Sequence, residues 1–349
     1  MKVYTNLFDK IALPENLFSA WNGFRRGKTS KEDVMLFEKD LERHIFSLAR
    51  DLDRGTYRHG AYSGFFVFDP KKRNIHKATV RDRVLHHSIM SALYPLFDPL
   101  FIHASFSCRI GKGTHKGVEY LWSMLRKESK NNMRNCYALK CDIKKFFDSI
   151  DHDVLVECLK ARIKDEKVMD LLSGIIESYT SRQSDLFHRC GVPIGNLTSQ
   201  LFANVYMNEF DQFMKRELKV RHYARYTDDF IVVSRDESYL KNLIIKIEKF
   251  LNEQLKLSLH PEKVTIRKYS QGIDFLGYVV FPDHVLLRKR TKRRISRKLD
   301  EGIARIREGS MERGKVEAML QSYLGALSHA NAYRFSQDLV NKFWFDQTG

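Results

Sequence analysis

Proline is scarce, seven residues in 349, and neither a low-complexity tract nor an internal repeat interrupts the chain, which argues against a disordered or repeat protein. No apolar run approaches the roughly 18 residues that span a membrane. The opening residues MKVYTNLFDK lack the apolar core of a secretion signal. A soluble, cytoplasmic protein with no membrane partner is expected. Cysteine is also sparse. Cys108, Cys136, Cys141, Cys158 and Cys190 form no CxxC pair and have no histidine at zinc-ligand spacing, so they read as reduced, mostly internal thiols. Acid is in deficit: 43 Asp and Glu stand against 60 Lys and Arg, a net charge of +17. Such an excess suits a polyanionic partner, because each basic contact to a phosphate releases counterions. It is concentrated in residues 286–315, which hold 12 basic and 4 acidic side chains.

Hydrophobic residues make up 43% of the chain, enough for a folded protein, and the length suggests two or three subdomains. Residues 30–54 read as one helix with Thr29 or Ser30 as its cap and Val34, Phe37, Leu41, Ile45 and Leu48 as its apolar stripe. GFFVFDPKKRNIHKATV reads as two short strands around the turn DPKKRN. An apolar helix, RDRVLHHSIMSALYPLF, is expected to end near Pro95. SFSCRIGKGTHKGVEYLWSML is a basic loop opening into a helix, where Gly111 and Gly113 permit close backbone approach. CYALKCDIKKFF is a strand that ends in charge. KVRHYARYTDDFIVVS reads as a hairpin with Thr227 and Asp228 at its tip.

Asp142 also terminates an apolar strand, so Asp142, Asp228 and Asp229 could meet. Three carboxylates together repel and shift one another's pKa upward unless cations neutralise them. Such a cluster suggests two divalent ions, Mg2+ with Mn2+ as the alternative, set for phosphoryl transfer. A lone Asp-Asp pair is more often a polar turn, and spacing does not choose between the two.

The motifs in series do choose. ARYTDDF resembles the aromatic-x-Asp-Asp box of reverse transcriptases. TVRDRVLHH and SFSCRIGKGTHKGV resemble the fingers blocks, LKCDIKKFFDSIDHDVL the first-aspartate palm block, and GVPIGNLTSQLFANVYMNEFD the template block. LSLHPEKV and IDFLGYVV resemble the two blocks that follow, so the likeness covers roughly residues 75–280. The family fold it implies is α/β (α+β), a right hand with an antiparallel palm sheet backed by SQLFANVYMNEFDQFM, whose Leu201, Val205 and Phe213 would form the apolar side. The expected divisions are 1–74 for an N-terminal helical extension, 75–284 for fingers and palm, and 285–349 for a basic helical thumb.

The resemblance also implies roles. Asp142 and Asp228 would hold the metals with the Ile143 carbonyl, and Asp229 would assist. Phe147 would lie beneath the incoming sugar and exclude a 2′-hydroxyl, with Phe146 turned to the core. Arg73, Lys77, Arg81 and Arg109 would neutralise the triphosphate of a dNTP, while Arg83 and Lys112 are equally surface or template contacts. Ile194 and Gly195 would sit against the incoming nucleotide. Gln200, Lys263, Gly277, Arg290, Arg293 and Arg294 would contact template RNA or the RNA/cDNA duplex, although Lys263 also reads as a surface lysine and Gly277 as a tight turn.

Most members of the family have Gln-Gly-x-x-x-Ser-Pro where this chain has Ile194-Gly195-Asn196-Leu197-Thr198-Ser199-Gln200. Both departures match diversity-generating retroelement enzymes, which copy a structured template RNA with errors at adenines and assemble with a small basic accessory protein. Some phage-defence reverse transcriptases share IGNLTSQ and form the alternative. An RNA-dependent RNA polymerase would want a small or polar residue at Phe147. A non-catalytic RNA-binding module would explain the charge but not three aligned acids.

Overall fold

The computed structural model describes residues 3–68, 72–181, 183–184 and 188–345. The chain opens with helices α1 (Phe8–Ala12), α2 (Pro14–Arg25), α3 (Glu32–Lys39) and α4 (Leu41–Asp53). The expected single helix over 30–54 is therefore two. The break is Asp40, at φ −119 and ψ 39, and the residue ahead of α3 is Lys31, with no side-chain cap. Val34, Phe37, Ile45 and Leu48 are buried as the stripe requires. However, α3 packs on a later helix and α4 on α2, and serving two partners overrides a continuous period.

Strands β1 (Ser63–Val67) and β2 (Arg73–Lys77) pair antiparallel with Phe65 opposite Ile75. The tip of the expected DPKKRN turn, 69–71, lies outside the described residues. Thr79 caps α5 (Val80–Phe97) by accepting from the Asp82 amide. That helix runs past Pro95 to Phe97, with the proline confined to the last turn. Next come α6 (Thr114–Glu128), β3 (Tyr137–Asp142), α7 (Phe146–Ser149), α8 (His152–Lys160), α9 (Glu166–Glu177) and α10 (Leu197–Gln212). Hairpin β4 (His222–Tyr226) and β5 (Asp229–Ser234) follows, then α11 (Glu237–Leu255) and β6 (Thr265–Lys268). Three short strands, β7 (Ile273–Phe275), β8 (Tyr278–Val280) and β9 (Val285–Leu287), lead to α12 (Lys289–Arg307), α13 (Arg313–Leu327) and α14 (Tyr333–Phe345).

The central sheet is antiparallel in the order β4-β5-β3-β6, and β7-β8-β9 form a second sheet. Alternation divides the central sheet between two cores. Leu139, Cys141, Phe230 and Val232 join the larger core with α5, α10 and α11, whereas Ala138, Ile231 and Val233 join Val118 and Leu121 of α6 and Ile295, Leu299 and Val316 of the C-terminal helices. Helix α10 is buried almost all round: Asn204, Asn208 and Asp211 are enclosed along with Leu201 and Val205. Phe213, half-buried, stacks on Phe250 at 4.0 Å. All five cysteines are unpaired, with Cys136 and Cys141 in the core. No described helix is long and apolar enough to cross a membrane. The architecture is the α+β right hand expected.

Candidate active site

Strand pairing brings two of the acids together. Asp142 at the end of β3 is the cross-strand partner of Asp229 at the start of β5, and directly opposed residues lie roughly 5 Å apart. Asp228 precedes Asp229 in the turn, where Thr227 holds a left-handed φ of 57. Asp142 is fixed at both ends of its residue: its carbonyl accepts from the His260 amide at 2.8 Å, and its carboxylate accepts from Lys263 Nζ at 2.5 Å. The Ile143 main chain bridges to Leu259 with its side chain buried.

Burial is the main force raising the Asp228 carboxyl, to about 6, and the negative charges of Asp229 and Asp142 add to it. Asp229 is also raised, again chiefly by burial; the cations Lys140 and Lys263 oppose the shift and Asp142 reinforces it. Carboxylates that resist ionisation together are what a divalent cation relieves. The donor set thus suits hard cations in its chemistry. As the side chains stand, no three acidic, histidine or cysteine groups among the described residues converge on one point, and the cation on Asp142 is Lys263.

A cleft of about 410 Å³ is lined by Asp142 and Asp229, by the cations Lys140, Lys263, Arg267, Arg288 and Arg290, and by two further acids, Glu262 and Asp274. Lys263 and Arg290 therefore share the space of the acids. Arg293 is exposed and Arg294 half-buried on α12. Gly277, at φ 91 after Leu276 at φ 51, makes the tight turn between β7 and β8, and its carbonyl accepts from the Arg288 amide at 3.0 Å. That left-handed geometry accounts for the glycine.

Phe146 is buried and Phe147 half-buried, their rings edge to face at 5.4 Å. The Phe147 carbonyl accepts from Val192 at 2.8 Å, tying it to the turn that contains Ile194. Strand β2 docks on this turn. The His76 amide donates to the Ile194 carbonyl at 3.1 Å, and Asn196 Nδ2 donates to the His76 carbonyl at 3.2 Å. Gly195 has φ 112, and a Cβ there would meet Ile75 Cγ2 at 2.8 Å; conformation and space both demand glycine. Gln200 is half-buried in the first turn of α10.

The four fingers cations differ in what they touch. Arg73 is exposed at the start of β2. Lys77 pairs with Asp33 at 2.7 Å and Arg81 with Asp51 at 2.5 Å, partners on the N-terminal helices. Arg109 is almost enclosed: Nε donates to Asp98 at 2.6 Å, and Nη1 to the carbonyls of Ile102 and Ser105 at 2.7 and 3.1 Å. Its guanidinium braces the 98–109 loop. Lys112 donates to the His103 carbonyl and Arg83 pairs with Asp33.

A family model described as reverse transcriptase (RNA-dependent DNA polymerase) matches residues 69–280, well over half of the chain. The chain belongs to the reverse transcriptase family. Among curated proteins it is similar to protein YkfC of Escherichia coli, 25% identical over 256 residues, with 64% of this chain and 65% of that protein covered. It also resembles the group II intron-encoded protein LtrA of Lactococcus lactis subsp. cremoris, at 23% identity with 79% of this chain and 57% of LtrA covered. This chain thus spans somewhat under two thirds of the length of both. A solved apo telomerase from Candida tropicalis, truncated from its C-terminal domain, matches at TM-score 0.48 and 15% identity over 66% of this chain and 55% of that one.

In this member of the reverse transcriptase family, two features escape a reading of its motifs. Lys140 faces the cleft beside Asp229, and its signal was the period of two, since it lies two residues before Asp142 on one strand. Arg225, inside HYARYTDD itself, is wholly buried. Its guanidinium donates to both oxygens of Asp211 at 2.8 and 2.7 Å, to Ser105 Oγ at 3.1 Å and to the Thr227 carbonyl at 2.9 Å. Tyr223 Oη donates to the same Asp211 at 2.7 Å, and Thr227 Oγ1 reaches Ser107 Oγ at 2.6 Å. The turn that presents Asp228 is thus anchored from beneath by a buried ion pair.

Proposed function

We propose that this chain is an RNA-directed DNA polymerase that extends a primer on a template RNA. The observation that carries the reading is the pairing of Asp142 with Asp229, the residue after Asp228, in a cleft lined by five Lys and Arg side chains, in a member of the reverse transcriptase family. Asp142, Asp228 and the Ile143 carbonyl would hold divalent magnesium or manganese, with Asp229 assisting; bound there, the ions supply activation of a hydroxyl nucleophile and charge neutralisation on the leaving pyrophosphate. Lys263, which now donates to Asp142, would be the residue to give up that carboxylate to a divalent ion and would then be free to face a phosphate. Phe147 bars a 2′-hydroxyl and so selects dNTPs. Arg73, Lys77 and Arg81 neutralise the triphosphate, the last two after exchanging their present carboxylate partners, whereas Arg109 keeps its bracing contacts. Gln200, Gly277, Arg290, Arg293 and Arg294 line the path of template and duplex.

Replacing Asp142 or Asp228 with asparagine is expected to abolish magnesium-dependent DNA synthesis while leaving RNA affinity nearly unchanged, since phosphate contacts supply the binding. Primer extension and filter binding on the same preparations test this. Either variant retaining about a tenth of wild-type synthesis, a barrier change of only about 1.4 kcal/mol, refutes the metal assignment.

The finer reading is error-prone copying at template adenines in a diversity-generating retroelement, with a structured RNA and a small basic accessory protein as partners. It is supported by Ile194 and Gln200. A glutamine at 194 would bond the incoming nucleotide well only in a correct pair, and isoleucine has no such bond to lose on mispairing. Ile194→Gln should therefore lower misincorporation opposite adenine severalfold with little change in total synthesis. Sequencing cDNA from both enzymes on one RNA decides; identical error spectra would favour phage defence instead.

A further inference from the structure

Strand β1 is exposed at every position, and two of its features do not suit solvent. Phe66 and the adjoining Phe68 are 53% and 69% exposed, with ring centroids 6.2 Å apart, although edge hairpins with bare aromatics invite aggregation. Phe65 and Val67, on the opposite face, are exposed as well. A cation covers the Phe66 face: Lys72 Nζ stands 4.3 Å from the Phe66 ring centre and 5.8 Å from that of Phe68. Asn74 is the cross-strand partner of Phe66 and so lies on the same face.

We propose that the Phe66–Phe68–Lys72 face is a stacking platform for single-stranded polynucleotide, the template ahead of the cleft; this rests on the reverse transcriptase reading above. Aromatic rings bind unpaired bases of any sequence through their π-faces, and neighbouring cations hold the backbone. Alternate residues on a strand are spaced by roughly 6.6 Å, close to twice the roughly 3.4 Å step between bases on one strand. The two rings stand 6.2 Å apart and tilted by 45°, within reach of neighbouring unpaired bases of one flexible strand. Position supports the same occupant, because β2 of this hairpin is hydrogen-bonded through His76 to the Ile194–Asn196 turn. The hairpin that carries the rings thus adjoins the turn proposed to meet the incoming nucleotide. A protein partner fits less well, since an apolar surface closing over these rings would bury the Lys72 ammonium without an anion.

The test uses the full chain with Phe66→Ala and Phe68→Ala combined, at a surface where folding should be unaffected, as circular dichroism would verify. Affinity is measured for a blunt RNA/DNA duplex, the same duplex with a single-stranded RNA extension of ten nucleotides, and the extension alone. The wild type should bind the tailed duplex more tightly than the blunt one. The double variant should lose that gain, by about fivefold to a hundredfold as expected for one stacked base, with blunt-duplex affinity kept and the gain restored by tyrosine at both positions. An unchanged gain in the alanine variant overturns the platform. A change in oligomeric mass with RNA binding intact also overturns it, in favour of self-association. A wild type that grips the single strand through these rings but ignores duplex keeps the platform and counts against the polymerase reading, so the two fail separately.

Discussion

Arg225 interrupts an apolar strand with a full charge, and its partner Asp211 is equally enclosed. Removing one member of such a pair typically costs about 3–5 kcal/mol, because the other charge is left buried and alone. Arg225→Met should accordingly destabilise the protein by about that much. Adding Asp211→Asn removes the orphaned charge and leaves an oxygen for the Tyr223 hydroxyl, so most of the stability should return. DNA synthesis should not return with it, since the Thr227 carbonyl still lacks its guanidinium and the turn carrying Asp228 is free to move. Urea titration beside primer extension tests the point; parallel recovery of both would make Arg225 a matter of stability alone.

Among the elements, α12 carries the largest concentration of positive charge, and its apolar seam, Ile295, Leu299 and Ile303, is buried. The basic residues are thereby turned outward as a set. Replacing Arg290, Arg293 and Arg294 together with glutamine should weaken binding to template-primer duplex and flatten its salt dependence by up to about one unit of slope per lost phosphate contact. An unaltered slope in a salt titration would mean that these arginines only solvate the helix. Elements of this kind were readable in the sequence where periodicity and charge agree, as in α12, β3 and the β4–β5 hairpin. The helix expected over 30–54 was misread because its stripe continues through Asp40 while its two halves pack on different neighbours. Helix α10 was read as one-sided because Asn204 and Asp211 do not look like core residues; both are buried with bonds to distant loops and strands, Asn204 Nδ2 to the Ser107 carbonyl and Asp211 to Arg225 and Tyr223. Arg109 looked like an anion ligand for a related reason, as its acid, Asp98, is eleven residues away. The meeting of two strand ends at Asp142 and Asp229 was legible, and contacts between segments distant in sequence were not.

Taken whole, the molecule joins its N-terminal helices to α10 through α5, and an enclosed histidine there contributes to its response to acid. His86 on α5 is buried, stacks on His59 at 5.3 Å, and has no hydrogen-bond partner for either ring nitrogen among the described residues. Burial above all pushes its pKa down to about 3 from the ordinary value of 6.5, and the neighbouring His59 adds to the shift. The folded form therefore stays neutral while an unfolded chain takes up a proton near pH 6.5. Stability from this group is complete above that pH and drains away as pH falls toward 3, by at most about 1.4 kcal/mol per pH unit. His86→Phe should flatten the urea midpoint between pH 6.5 and 4.5 relative to wild type. An identical acid limb in the two proteins would assign the sensitivity to other groups.

The junction between β2 and the 194–196 turn has an evolutionary corollary. Ile194 accepts the His76 amide through its carbonyl, so a codon change there alters the side chain while keeping the main-chain acceptor on which the hairpin rests. Gly195 next to it has no such latitude. On the proposed reading, copying accuracy would lie in the side chain of this residue and docking of the hairpin in its main chain, so selection could tune the first while the second is inherited intact.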